Sequence, residues 1–287
     1  MKTTKHFIVA CLLACFFSGN MYSRTDTISV EKAFLEKLIK LEIKGKGSYQ
    51  NQCISMKIKN LIAEPVIIKV EAGRRLDSKD STEQDILVVQ DLYVKLVVKQ
   101  EFTTDITGFC CQASNHAPKE KAKFLVGALA DKNLFDMAKY ISKATLSSNQ
   151  IQNAVWCVSD NHDLSSVDEE GTEAGKNLRK FIAKMKGIEV PWFNSYYQNV
   201  PGQVFSNIPK NITGKMDYYI ANISPVLVNI RDTKGTVVKT FVVGNEVQRG
   251  DHTFNLDWDV KGMKRGKYYV RIYEGQRQLK ELEVTVP

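Results

Sequence analysis

The sequence predicts a mixed, mainly β fold: an N-terminal β-sandwich with a helical half, followed by a second β-sandwich at the C-terminus. Three observations carry this. Ile54, Met56 and Ile58 alternate with Ser55, Lys57 and Lys59, the two-residue period of a half-buried strand. Leu134, Met137, Ala138 and Ile141 fall at i, i+3, i+4 and i+7, one face of a helix. Strand-like runs then return at regular spacing from Val226 to the end of the chain.

The 287 residues open on an export signal. Lys2, Lys5 and His6 precede an apolar run from Phe7 to Phe17 and then Ser18-Gly19-Asn20, which reads as a signal peptide over residues 1–23. The run is too short to span a bilayer, which takes about 20 apolar residues, and no later stretch is long and apolar enough. Leu12-Leu13-Ala14-Cys15 fits a lipoprotein box, making Cys15 a candidate lipidation site and lipid anchor. The bulky Phe16-Phe17 after it favours simple secretion. The net charge of +8 falls to +6 without Lys2 and Lys5, and the remaining excess is spread along the chain. Dispersed cations read as solvated faces. Nucleic-acid binding would want a basic patch interleaved with stacking aromatics.

The first unit covers residues 27–187. A short helix is expected around Val30 to Leu38, then strands through Ile54–Ile58, Val66–Val70, Asp85–Val89 and Tyr93–Val98. Turns fall at Asn60–Pro65, Gly73–Ser81 and Gln90-Asp91. From Pro118 the period becomes helical. Asn149 is placed to cap a second helix with Ile151, Ala154, Val155 and Val158 inward, and Asn177–Lys186 makes a third. Asp160–Gly175 reads as a polar surface loop. Residues 188–213, with Pro191, Pro201, Pro209 and the aromatics Trp192, Phe193, Tyr196 and Tyr197, read as a linker. Its aromatics are expected to dock it on a neighbouring domain, a carbohydrate platform being the alternative. Residues 214–287 form the second sandwich, with Asp232-Thr233-Lys234-Gly235 turning between strands. Arg249-Gly250-Asp251 is read as the turn before a strand rather than as a recognition tripeptide.

Four cysteines follow the signal: Cys53, Cys110, Cys111 and Cys157. In an oxidising compartment an even count implies two disulfides, and adjacent Cys110 and Cys111 do not suit one another. One of them is therefore expected to pair with Cys53 or Cys157. Cys110 follows Phe109, and Gln152 lies in Ile151-Gln152-Asn153-Ala154-Val155-Trp156, where Trp156 at i+4 is placed to cover the glutamine. A thiol and a glutamine amide in apolar cover are the two halves of an internal thioester.

These two motifs resemble those of bacterial surface thioester domains, an aromatic–Cys pair and apolar-Gln-x-x-apolar-Trp. The resemblance implies that Cys110 is the thioester cysteine and Gln152 the acyl donor, in a β-sandwich joined to helices. The stretch from Val226 through Arg265-Gly266-Lys267-Tyr268-Tyr269 resembles the immunoglobulin-like module of flagellar-hook-capping proteins. It also resembles the C-terminal sorting domains of type IX secretion cargo. Together these imply a non-enzymatic protein, secreted or on the bacterial cell surface, that adheres to a surface protein or glycan ligand. Two readings stand beside it: a disulfide-stabilised binding module with no reactive bond, and a secreted hydrolase using Cys110 or Cys111 with His116 or His162. No pattern calls for a cofactor or metal; Asp160-Asn161-His162-Asp163 offers ligand types that a polar loop explains without one.

Overall fold

A computed structural model describes residues 27–287; the stretch read as an export signal and the candidate lipidation site Cys15 lie outside the described residues. The mainly β class holds, with the helices after the first set of strands. The first unit runs β1 (Thr27–Ser29), α1 (Val30–Leu35), β2 (Ile39–Lys46), β3 (Gln50–Asn60), β4 (Val66–Val70) and β5 (Arg74–Ser78). It continues with β6 (Ile86–Val88), β7 (Leu92–Leu96), β8 (Glu101–Cys110) and β9 (Glu120–Leu129). The sheets are more closed than two open layers: β2-β3-β8-β6-β5-β9 form a barrel, with β1-β4-β7 as a three-stranded sheet beside it. Ile54, Met56 and Ile58 point into the core and are fully buried, as their alternation predicts.

Two strands depart from expectation. β5 occupies the stretch read as a turn, and β9 the start of the stretch read as helical. They pair with each other and complete the barrel. Arg74 sets the seam. Fully buried on β5, it donates to the Gly127 carbonyl on β9 at 3.0 Å and binds the carboxylates of Glu71 and of Glu31 in α1.

The helical half comprises α2 (Lys132–Ile141), α3 (Ser148–Ser159) and α4 (Glu173–Lys186). α2 buries Leu134, Met137, Ala138 and Ile141, the expected face. α3 is capped by Ser147 rather than Asn149, in a capping box with Gln150. Ser147→Ala is expected to lower stability by about 1 kcal/mol in denaturant unfolding; an unchanged midpoint would remove the cap from the account. The buried arc of α3 is also wider than one apolar face. Ala154 and Val155 are buried as expected, Ile151 and Val158 only half so, while Gln150, Gln152, Trp156 and Cys157 go inside. The cause is position: α3 is wedged between the barrel strands β3 and β8 and the helices α2 and α4. α4 starts four residues earlier than expected, capped by Thr172. The Asp160–Gly175 segment is no mere surface loop, since Leu164, Ser165, Ser166 and Val167 are buried around a 3₁₀ turn.

The C-terminal sandwich contains β10 (Phe193–Tyr197), β11 (Pro209–Ile220), β12 (Ser224–Asp232) and β13 (Val237–Val247). β14 (Gly250–Asp259), β15 (Gly266–Glu274) and β16 (Arg277–Val286) complete it. Sheets β10-β11-β14 and β13-β12-β15-β16 enclose a core including Met216, Val228, Trp258 and Ile272. The stretch 188–213 is therefore not simply a linker, because β10 is an edge strand of this sandwich. Its aromatics dock it. Trp192 lies over Gly214, where a Cβ would come within 2.6 Å of the indole, and its N–H donates to the Glu283 carbonyl at 2.6 Å. On the other side Arg179 of α4 donates to the Phe193 carbonyl at 2.7 Å, and Ser165 to the Ser195 hydroxyl at 2.7 Å. No helix among the described residues is long and apolar enough to cross a membrane.

Candidate functional site

Cys110 ends β8 where the strand is pinned tightly. Its amide donates to the Tyr49 carbonyl at 3.0 Å, and β6 runs alongside with Ile86 opposite Cys110. Gly108, two residues earlier, lies so close to Ile86 that any Cβ would collide with that side chain. The following residues are clamped as well. The Cys111 amide donates to the Asp85 carbonyl at 3.0 Å, Gln112 Nε2 to the Asp85 carboxylate at 2.8 Å, and the Ala113 amide to Asp160 Oδ1 at 2.8 Å. The thiol thus sits on a rigid strand end.

Gln152 on α3 reaches this strand end across 42 residues of sequence: its Nε2 donates to the Cys110 carbonyl at 2.8 Å. The glutamine is 2 % exposed and its Oε1 is buried with no partner. An amide in such a place ordinarily finds partners for both ends. Trp156, one turn on, is also buried; it lies parallel to Tyr49 at 6.4 Å between ring centroids and meets Phe205 edge-on at 5.2 Å. The three residues singled out in the sequence are thus brought together: a thiol-bearing strand end, a glutamine bonded to it, and an indole one turn along.

The expected disulfides are absent. Cys53, Cys110, Cys111 and Cys157 are all free and buried. Alternation along the strand end separates the adjacent pair. Cys110 joins the barrel core with Cys53, and Cys111 joins the helical core with Cys157. Three of the thiols are held by backbone carbonyls instead: Cys53 by Gly108 at 3.4 Å, Cys111 by Asp85 at 3.4 Å and Cys157 by Asp163 at 3.2 Å. The Cys110 thiol makes no such bond among the described residues. Burial pushes the Cys53 and Cys157 thiols up to about 12. It raises Cys111 too, and raises Cys110 with help from neighbouring Cys53. None of the four rests as a thiolate.

His116 and His162 line a cleft of about 690 Å³ together with Asp160 and Asp163, and none of the four cysteines lines it. Neither imidazole hydrogen-bonds a cysteine among the described residues. His162 is packed against Tyr197 and Phe205, and burial lowers its pKa. No three His, Cys, Asp or Glu side chains among the described residues converge as a metal site. Tyr49 and Phe205 are the neighbours that sequence reasoning missed. Tyr49 precedes β3 without any motif, and Phe205 lies in the proline-rich stretch read as a connection. Comparison with protein-family models and with curated proteins finds no match to this chain.

Proposed function

We propose that this chain is a non-enzymatic interaction protein, exported to the bacterial cell surface, that attaches covalently through an internal thioester between Cys110 and Gln152. The observation supporting this is the 2.8 Å hydrogen bond from Gln152 Nε2 to the Cys110 backbone carbonyl, combined with the unpartnered, buried Gln152 Oε1. In forming the bond, the Cys110 sulfur attacks the Gln152 amide carbon. The C–N bond breaks, and the thiol proton leaves with the nitrogen as ammonia. The hydrogen bond places the Gln152 amide at the Cys110 backbone, whereas the thiol is packed in the barrel core, so forming the bond requires the Cys110 side chain and the Gln152 amide both to turn toward one another. Burial that penalises a thiolate does not penalise a neutral thioester. Trp156 and Tyr49 keep water from the acyl carbon until a partner's nucleophile reaches it.

Intact mass tests the reading. The secreted protein is expected to weigh one ammonia less than its sequence requires, and a small primary amine added to it should be taken up at Gln152. Cys110→Ala and Gln152→Ala each abolish the deficit. A full, unmodified mass from freshly secreted protein would sink the covalent reading and leave a binding module with buried free thiols.

A further inference from the structure

Residues 198–208 form a strap between β10 and β11, closed at its base by the Gln198 amide donating to the Ile208 carbonyl at 2.8 Å. Phe205 on the strap stands edge-on to Trp156 at 5.2 Å and to His162 at 4.8 Å, and the His162 ring tilts against Tyr197 at 4.7 Å. Two cavities, of about 690 and 310 Å³, border the strap and share His162, Tyr197 and Phe205. Both fall in the size range of small-ligand sites.

Beneath the strap two polar groups are buried without a partner, the Trp156 indole N–H and the Tyr197 hydroxyl. Unpaired buried donors destabilise a fold, and native structures hold few of them. Two under one strap point to a partner from outside. The cleft rim carries both kinds of hydrogen-bonding group. Arg265 gives one guanidinium nitrogen to the Asn207 carbonyl at 2.6 Å, and Asp163 receives Ser165 at Oδ1, leaving Oδ2 without a partner among the described residues.

We propose that the trench under residues 198–208 binds a neutral sugar unit of a glycan. Phe205, His162 and Tyr197 form the wall for the apolar C–H face of the ring. The Tyr197 hydroxyl, Asp163 and Arg265, which line the larger cavity with those rings, pair with its hydroxyls, and the Trp156 N–H faces the smaller cavity beside it. A hydroxyl both donates and accepts, which suits an edge holding one carboxylate and one guanidinium; an anionic ligand meets Asp163 and a cationic one meets Arg265. The indole N–H and the tyrosine hydroxyl are sealed from solvent, so the strap shifts outward as the sugar enters. This names a ligand class for the interaction reading and does not require the thioester.

The test uses the full chain carrying Cys110→Ala, so that the fate of the thioester has no bearing on it. Glucose, galactose, mannose and N-acetylglucosamine, with their short oligomers, are titrated by tryptophan fluorescence and ligand-observed NMR. At least one is expected to bind. Tyr197→Phe is expected to weaken that binding about tenfold, the loss of one hydrogen bond, while the melting temperature stays level or rises. Phe205→Ala should weaken it comparably. Absence of binding by every probe, equal binding by both variants and the parent, or tighter binding of glucuronate than of glucose would overturn the assignment. A mass deficit in the parent chain with no sugar bound by the Cys110→Ala chain would refute this site alone, and sugar binding with a full mass of the parent chain would refute the thioester alone.

Discussion

Replacing Arg74 by alanine is expected to destabilise the protein by about 3–5 kcal/mol, the range for removing one partner of a buried ion pair. The guanidinium is fully buried and joins three elements: the Glu71 turn before β5, Glu31 in the first turn of α1, and the Gly127 carbonyl on β9. Its loss strands the Glu71 carboxylate, whose side chain is only 14 % exposed, and opens the Gly127 carbonyl at the seam that closes the barrel. Glu31, more than a third exposed, can turn to water. Two variants separate charge from packing. Arg74→Met alone should remain strongly destabilised, because Glu71 stays buried without a counter-charge. Arg74→Met combined with Glu71→Leu should recover most of the loss, since apolar replacement of a whole buried pair is often neutral. The measurement is urea unfolding followed by far-UV circular dichroism. An Arg74→Ala midpoint close to the parent's would show that the seam does not depend on this ion cluster.

The same seam marks where the sequence was hard to read. β3 declares itself through the alternation of Ile54, Met56 and Ile58 with polar residues, and β4 through its β-branched run Val66-Ile67-Ile68. β5 reads Arg-Arg-Leu-Asp-Ser and puts a charged residue, Arg74, into the core, so its inward face looks outward. β9 is built largely of Glu, Lys, Ala and Leu, which favour helices in isolation; only Phe124 and Gly127 are buried along it. Both become strands because each is the other's barrel neighbour, a long-range cause that no local window contains. The candidate site was legible for a different reason. Gln152 and Trp156 are one turn apart, so their shared face follows from helix geometry alone. That Gln152 would meet the Cys110 thiol rests on the motif resemblance; the hydrogen bond the structure holds is to the Cys110 backbone carbonyl. The disulfide expectation failed because counting cysteines says nothing about side-chain direction. Cys110 and Cys111 face two different cores.

Those two cores give the fold an alkaline liability. In the Cys110→Ala background, which leaves Cys53, Cys111 and Cys157 as the buried thiols, stability is expected to fall steeply above pH 9. The sign follows from the protons bound. In the unfolded chain a thiol titrates near its ordinary 9.0, whereas burial holds Cys53 and Cys157 at about 12 and raises Cys111 as well. Between those limits the folded state keeps protons that the unfolded state has lost, so rising pH favours unfolding. Each thiol contributes about 1.4 kcal/mol per pH unit in that window, so three give about 4. Below pH 8 the same groups are protonated in both states and contribute no slope. Urea midpoints at pH 8, 9, 10 and 11 check this, and a further Cys157→Ala should flatten the decline by about a third. A midpoint that holds steady from pH 9 to 11 would mean that Cys53, Cys111 and Cys157 ionise in place, and would overturn this account.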